Sequence, residues 1–182
     1  GQSYLWVRPP LELYSLFAGT NRYNGVSSIF KQNLMGISIE AESYLGQIKD
    51  TITLAGSSTD LNTEKMFGGQ LSFITDYFTF RMSQTDTEVS YQVPSIGSVI
   101  SDLSIQVVGL SFNLGNVGGS WEWGIGGGTR GDIRARYYAL YYSFDRLTPI
   151  ITYGANDTDS INGLDSYEGN SLTLGLRYDL TE

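Results

Sequence analysis

The feature that most constrains the fold is an alternation of apolar and polar residues with a period of two. Its clearest example is Leu172-Thr173-Leu174-Gly175-Leu176-Arg177-Tyr178-Asp179-Leu180, whose even positions hold only Leu and Tyr and whose odd positions hold Thr, Gly, Arg and Asp. A helix would mix Arg177 and Asp179 into its apolar side, whereas a strand separates the two kinds of residue completely. The segment therefore predicts a β-strand with one apolar and one polar face.

The same alternation recurs from about residue 25 to the end of the chain. No run of about 18 apolar residues is present for a transmembrane helix, but a transmembrane strand alternates and leaves no such run. The sequence predicts an all-β fold with about nine strands, near 25–34, 35–48, 66–76, 78–90, 104–114, 119–127, 133–145, 148–156 and 170–181.

The links between these segments alternate in length. Short turns near 33–34, 76–77, 115–119 and 145–148 are separated by longer polar links at about 49–65, 84–103, 127–132 and 157–169. Strands that run up and down through a bilayer have tight periplasmic turns and larger extracellular loops. The predicted strands are also longer than the five or six residues usual in soluble proteins. The pattern favours an antiparallel up-and-down transmembrane β-barrel over a soluble one, in which the apolar face would form the core.

Composition narrows the function classes. The chain has no Cys and no His, so it offers neither thiolate metal sites nor the commonest general base. A net charge of −8 is the wrong sign for a nucleic-acid binder. We therefore expect neither an enzyme nor a cofactor site.

Two segments resemble a known family. Tyr4-Leu5-Trp6-Val7-Arg8-Pro9-Pro10-Leu11-Glu12-Leu13-Tyr14, followed by Tyr23-Asn24-Gly25-Val26, resembles a mid-chain region of porins from marine Gram-negative bacteria, and 172–182 resembles a strand common in such barrels. The resemblance implies a general-diffusion channel in the outer membrane, often trimeric. Barrels of this kind commonly end on a terminal aromatic, whereas this chain ends at Thr181-Glu182. We expect a single domain over 1–182 that forms part of a barrel of about sixteen strands, with an extracellular-side loop region over 1–24 and a hairpin meander over 25–182.

Charged residues on the polar faces are the candidate site residues, because charged side chains that line a pore decide which ions pass. The predicted lining consists of Lys31, Glu40, Glu42, Arg81, Glu122, Arg177 and Asp179. Residues expected at a rim or constriction are Arg8 and Glu12, next to the stiff Pro9-Pro10, and Arg134 and Arg136, which share a face with apolar residues and would meet lipid phosphates.

The acidic segment near residue 160 has the oxygen ligands that calcium prefers. Asp157, Asp159 and Asp165 lack the EF-hand spacing, so a solvated loop facing lipopolysaccharide is the better interpretation. The expected partners are therefore outer-membrane lipid, lipopolysaccharide and small hydrophilic solutes, besides the homotrimer that the resemblance implies. Two other functions stay open at this stage: a small plugged outer-membrane barrel acting as an anchor or adhesin, and a soluble all-β ligand-binding barrel.

Overall fold

The computed structural model describes six ranges of the chain, 24–47, 49–54, 57–93, 97–128, 131–159 and 167–179. They form ten strands: β1 (Asn24–Leu34), β2 (Ile37–Gln47), β3 (Lys49–Leu54), β4 (Ser57–Ile74), β5 (Phe78–Val93), β6 (Gly97–Leu114), β7 (Val117–Gly128), β8 (Gly131–Tyr142), β9 (Leu147–Thr158) and β10 (Tyr167–Tyr178). These ranges contain no helix that is long and apolar enough to cross a membrane.

All ten strands belong to one antiparallel sheet. Its order is β1-β2-β4-β5-β6-β7-β8-β9-β10, and β3 pairs only with β4. Apart from β3, each strand therefore lies beside its neighbours in the chain, as in an up-and-down meander. The all-β, antiparallel up-and-down fold predicted from the alternation is confirmed. In the described ranges β1 and β10 stand at the two ends of this strand order, and β3 leaves a further open edge beside β4.

The nine predicted strands match β1, β2 and β4–β10 in order, but the prediction of long loops at 49–65 and 84–103 is wrong. Residues 49–54 form β3, and β5 and β6 stay paired as far as Val93 and Gly97. The link predicted at 127–132 is also short, since Gly128 pairs with Gly131. Links at that end of the sheet are thus not uniformly longer than the turns at the other end.

The error has a physical reason. Alternation marks a strand only where one face meets an apolar medium and the other a polar one. In β5 the apolar residues stand at even positions from Phe78 to Met82 and at odd positions from Val89 to Val93, so the phase of the alternation changes within one strand. Antiparallel backbone pairing continues through this change of phase, whereas a pattern-based prediction ends the strand where the phase breaks.

The two faces of the sheet differ in exposure. On β8, Tyr137 is 6% exposed while its neighbour Tyr138 is 45% exposed. The polar face also buries small residues such as Ser72, Ala135 and Ala139, while large apolar residues on the other face stay exposed. Side chains converge on the concave side of a curved sheet and diverge on its convex side. The polar face is therefore the inside of the curve and the apolar face is the outside.

The β1–β2 hairpin closes through a two-residue turn at Met35 and Gly36, between the paired residues Leu34 and Ile37. Both turn residues have positive φ, 49° for Met35 and 83° for Gly36. Positive φ at both central positions is typical of a type I′ turn, which favours Asn-Gly. A Met side chain that is 97% exposed gains nothing from packing at this position.

We expect Met35→Asn to stabilise the folded protein by up to about 1 kcal/mol, because Asn adopts the left-handed region at lower cost than Met. Urea titration of the folded protein measures the change. Gly36→Ala is the opposing control and is expected to destabilise by about 1 kcal/mol. Equal midpoints for both variants and the parent would contradict this interpretation of the turn.

Candidate functional site

Four of the seven predicted lining residues lie in one register row of the polar face. A register row is the set of residues paired side by side across neighbouring strands. The row runs through Lys31, Glu40, Ser72, Arg81, Gly109, Glu122, Tyr137, Gly154 and Ser171, from β1 to β10. Positive and negative side chains alternate along it. The structure thus brings together charges that are up to 91 residues apart in the chain.

Lys31 and Glu40 form the first ion pair of the row. They are direct register partners on β1 and β2, and Lys31 Nζ donates to Glu40 Oε1 over 2.7 Å. Both side chains keep substantial contact with solvent. An exposed pair of this kind contributes about 0–1 kcal/mol, so its main effect is to cancel one positive and one negative charge locally.

Arg81 and Glu122 form the second pair, although β6 lies between their strands. Arg81 Nη2 donates to Glu122 Oε1 over 2.6 Å, across Gly109, which is the register partner of both residues. Neighbouring strands are about 4.8 Å apart, so the two side chains together span roughly twice that distance. A Cβ at position 109 would lie 3.3 Å from Glu122 Cγ and 3.8 Å from Arg81 Nη2. The glycine therefore leaves the space through which this pair forms.

The same arrangement occurs a second time on the polar face, at residues that the charge pattern of the sequence does not single out. Tyr44 on β2 extends across Gly68 on β4, and its hydroxyl is 2.5 Å from Thr85 Oγ1 on β5. The signal would have been a polar-face glycine whose register partners on the two neighbouring strands both carry hydroxyl groups, here Tyr44 and Thr85. That signal is visible only once the register is known.

Glu42 is the next polar-face charge on β2. Its register partners are Ile29 and Gln70, and the basic residue diagonal to it on β1, Lys31, forms its ion pair with Glu40 instead. Within the described part of the chain it takes part in no ion pair or hydrogen bond. Glu42 is therefore the one carboxylate among the predicted lining residues that no cation balances there.

Arg177 and Asp179 lie at the end of the sheet where the short turns are. Arg177 Nε donates to Asp179 Oδ1 over 2.8 Å, and Arg177 Nη2 lies 2.8 Å from the same oxygen. The backbone N–H of Asp179 donates to the carbonyl of Arg146 in the β8–β9 turn. The opposite charges of this third pair also cancel locally. The pair lies apart from the register row that contains Lys31 and Glu122.

The predicted rim residues lie elsewhere. Arg134 and Arg136 are exposed on the apolar face of β8, and Arg134 Nη2 is 3.5 Å from Asp159 Oδ2. Their contact with lipid phosphates stays a prediction. Arg8 and Glu12 lie outside the described residues.

The weak calcium candidate is not assembled in the described ranges. Asp157 is the register partner of Arg134, Asp159 is close to the same guanidinium, and Asp165 lies outside the described residues. Those ranges contain no group of three acidic side chains positioned to hold a metal ion.

Comparison with solved structures connects this geometry to a known fold. The chain is similar to the anion-selective porin from Comamonas acidovorans, with a TM-score of 0.51 and 10% sequence identity. The chain has a porin-like fold. The match covers 85% of this chain and 59% of the porin, so the chain spans somewhat over half the length of the protein that it resembles. No protein-family model and no curated protein sequence matches it.

Proposed function

We propose that the chain forms part of the wall of an outer-membrane porin, a water-filled channel through which small hydrophilic solutes and ions diffuse passively. The polar, concave face would line the channel and the apolar, convex face would meet lipid. Transport of this kind needs no chemical step, which agrees with a lining that offers neither His nor Cys. Its selectivity would come from pore width and lining charge.

The apolar band is the part of the apolar face in which alternate positions of each strand hold apolar residues. The observation that carries the proposal is that the border of this band is inclined to the register rows. On β1 the band begins at Val26, yet the register row of Val26 reaches Asp132 on β8. On β10 the band begins at Leu172, whose row passes through Tyr138 on β8. Position 138 is six residues further along β8 than position 132. The border of the band therefore moves along the strands as it crosses the sheet.

The size of this shift is what a bilayer would impose. Six residues correspond to about 20 Å along a strand, and the eight steps from β1 to β10 correspond to about 38 Å across the sheet. The band is thus inclined by roughly 30° to the register rows, slightly below the 35–45° strand tilt of outer-membrane barrels. A band that is level with the membrane plane has this inclination when the strands are tilted. In a soluble sheet no external plane fixes the border of the apolar face.

The open edges support the same function. In hydrocarbon, an unpaired strand edge leaves backbone N–H and C=O groups without partners, at a cost of several kcal/mol each. We infer that β1 and β10 are paired in the membrane-embedded protein. Lipopolysaccharide contact and a homotrimer belong to the same proposal. The anion selectivity in the name of the similar porin is not carried over, because ion preference depends on individual lining charges.

Planar bilayers test the channel directly. We expect the reconstituted full chain to give discrete, ohmic conductance steps, and detergent to be required to keep it in solution. A monodisperse, detergent-free monomer that produces no steps would contradict the proposal and favour the soluble ligand-binding barrel. Membrane insertion without conductance would favour the plugged anchor.

Single cysteines test which face lines the channel, on a background without native Cys. Ser111 and Leu110 are neighbours on β6 that point to opposite faces. We expect Ser111→Cys to react with a membrane-impermeant methanethiosulfonate and lose conductance, because its side chain faces the water-filled channel. Leu110→Cys is the matched control, and lipid should protect it from the reagent. Equal reaction at both positions, or reaction at Ser111→Cys with unchanged current, would refute the assignment of the polar face.

A further inference from the structure

We propose that Glu42 is an ion-selectivity residue of the channel and that its unbalanced carboxylate favours the passage of small cations over anions of similar size. The inference rests on the proposed channel function and deepens it. It follows from the pairing of every other predicted lining charge and from the depth of Glu42 in the wall.

The polar face of the described wall is nearly balanced in charge. Lys31 pairs with Glu40, Arg81 with Glu122, and Arg177 with Asp179, at distances of 2.6–2.8 Å. A closely paired cation and anion act as a dipole, whose field decays faster with distance than the field of a single charge. At the distance of a passing ion these three pairs contribute little. What remains from the predicted lining is one negative charge, at Glu42.

Glu42 also lies at a favourable depth. On β2 the apolar band extends from Leu45 to Ile37, and Glu42 lies between these two residues. The carboxylate is therefore near the middle of the proposed membrane-spanning zone, where low-dielectric walls focus its field into the channel. Charges at a channel mouth are screened over about 10 Å at 0.1 M salt, whereas a charge inside a narrow pore is screened less. Arg177 and Asp179, at the short-turn end, have the weaker position.

The uncharged neighbours of Glu42 leave its carboxylate accessible to passing ions. The register partners Ile29 and Gln70 cannot neutralise the carboxylate, and Ser83, the next residue of the row on β5, is small and uncharged. A hydrated cation would meet Glu42 together with the Gln70 amide oxygen. Because water would lie between the cation and the carboxylate, the attraction would be weak. The geometry thus favours the passage of cations over anions without a site that holds them.

Reversal potentials in a KCl gradient test the proposal. We expect Glu42→Gln to lower the ratio of potassium to chloride permeability about four- to sixteenfold, because one unit charge about 5–10 Å from the ion path in water favours the cation and disfavours the anion by about two- to fourfold each. Glu42→Lys should lower it further. Glu42→Asp, which keeps the charge, should stay close to the parent.

The matched control is the double variant Lys31→Gln/Glu40→Gln, which removes one charge of each sign from the neighbouring position. Its reversal potential should equal that of the parent. If the parent conducts and Glu42→Gln leaves the reversal potential unchanged, or if the double variant shifts it as much, the role of Glu42 is refuted while the channel stands. If the parent never conducts, the channel proposal itself fails.

Discussion

Replacing Ile151 with Arg is expected to destabilise the protein by about 2–4 kcal/mol, although the Ile side chain is 43% exposed. Ile151 lies on the apolar face of β9 between its register partners Leu140 and Leu174. In water, a substitution at so exposed a site usually changes stability by less than about 0.5 kcal/mol. In a bilayer the same guanidinium would have to enter hydrocarbon near its midplane.

The measurement is the unfolding free energy from urea titration in lipid vesicles, with Thr152→Arg as the matched control. Thr152 is the next residue on β9, on the polar face, with the small register partners Ala139 and Thr173. An Arg at this position would extend into water, so a change within about 1 kcal/mol is expected. Similar values for the two variants would show that the apolar face does not meet lipid.

The sheet could be predicted from the sequence because, in a strand with one apolar and one polar face, each residue type indicates the face on which its side chain lies. The alternation in 172–180 separates Leu174 and Leu176, on the exposed apolar face, from Arg177, on the polar face, without any knowledge of partners. The order of the strands followed from the short turns. In the far end of β5 the apolar residues move from even to odd positions, and β3 follows β2 after a single residue, so the period-two pattern has no continuous phase at either place. The prediction failed there.

The candidate site was predictable as a set of residues but not as an arrangement. Period-two counting places Arg81 and Glu122 on polar faces, yet nothing in their local sequences relates one to the other. Their pairing depends on the register of three strands and on the absence of a side chain at Gly109. The lack of an ionic partner for Glu42 has the same origin. Long-range register therefore decides which lining charges cancel and which act on a solute.

Removing the Arg81 guanidinium is expected to cost about 2 kcal/mol, more than removing any other single lining cation. Glu122 is only 18% exposed, so Arg81→Met leaves a largely buried carboxylate without its partner. An unpaired, desolvated charge costs far more than the net gain from the pair. Replacing both residues, as Arg81→Met/Glu122→Gln, removes the stranded charge and should recover most of the loss.

The Arg81 and Glu122 variants form a double-mutant cycle. The Lys31/Glu40 pair, in the same register row, provides the comparison. Lys31→Met leaves Glu40 in contact with water, so the Lys31/Glu40 cycle should give a coupling energy below about 1 kcal/mol. The Arg81/Glu122 cycle should exceed it, at roughly 1.5–3 kcal/mol. Gly109→Leu places a side chain between the two charges and should reproduce the loss in Arg81→Met while both charges remain. Equal coupling energies for the two pairs would mean that water reaches Glu122 as freely as Glu40, and that Gly109 plays no part in forming the pair.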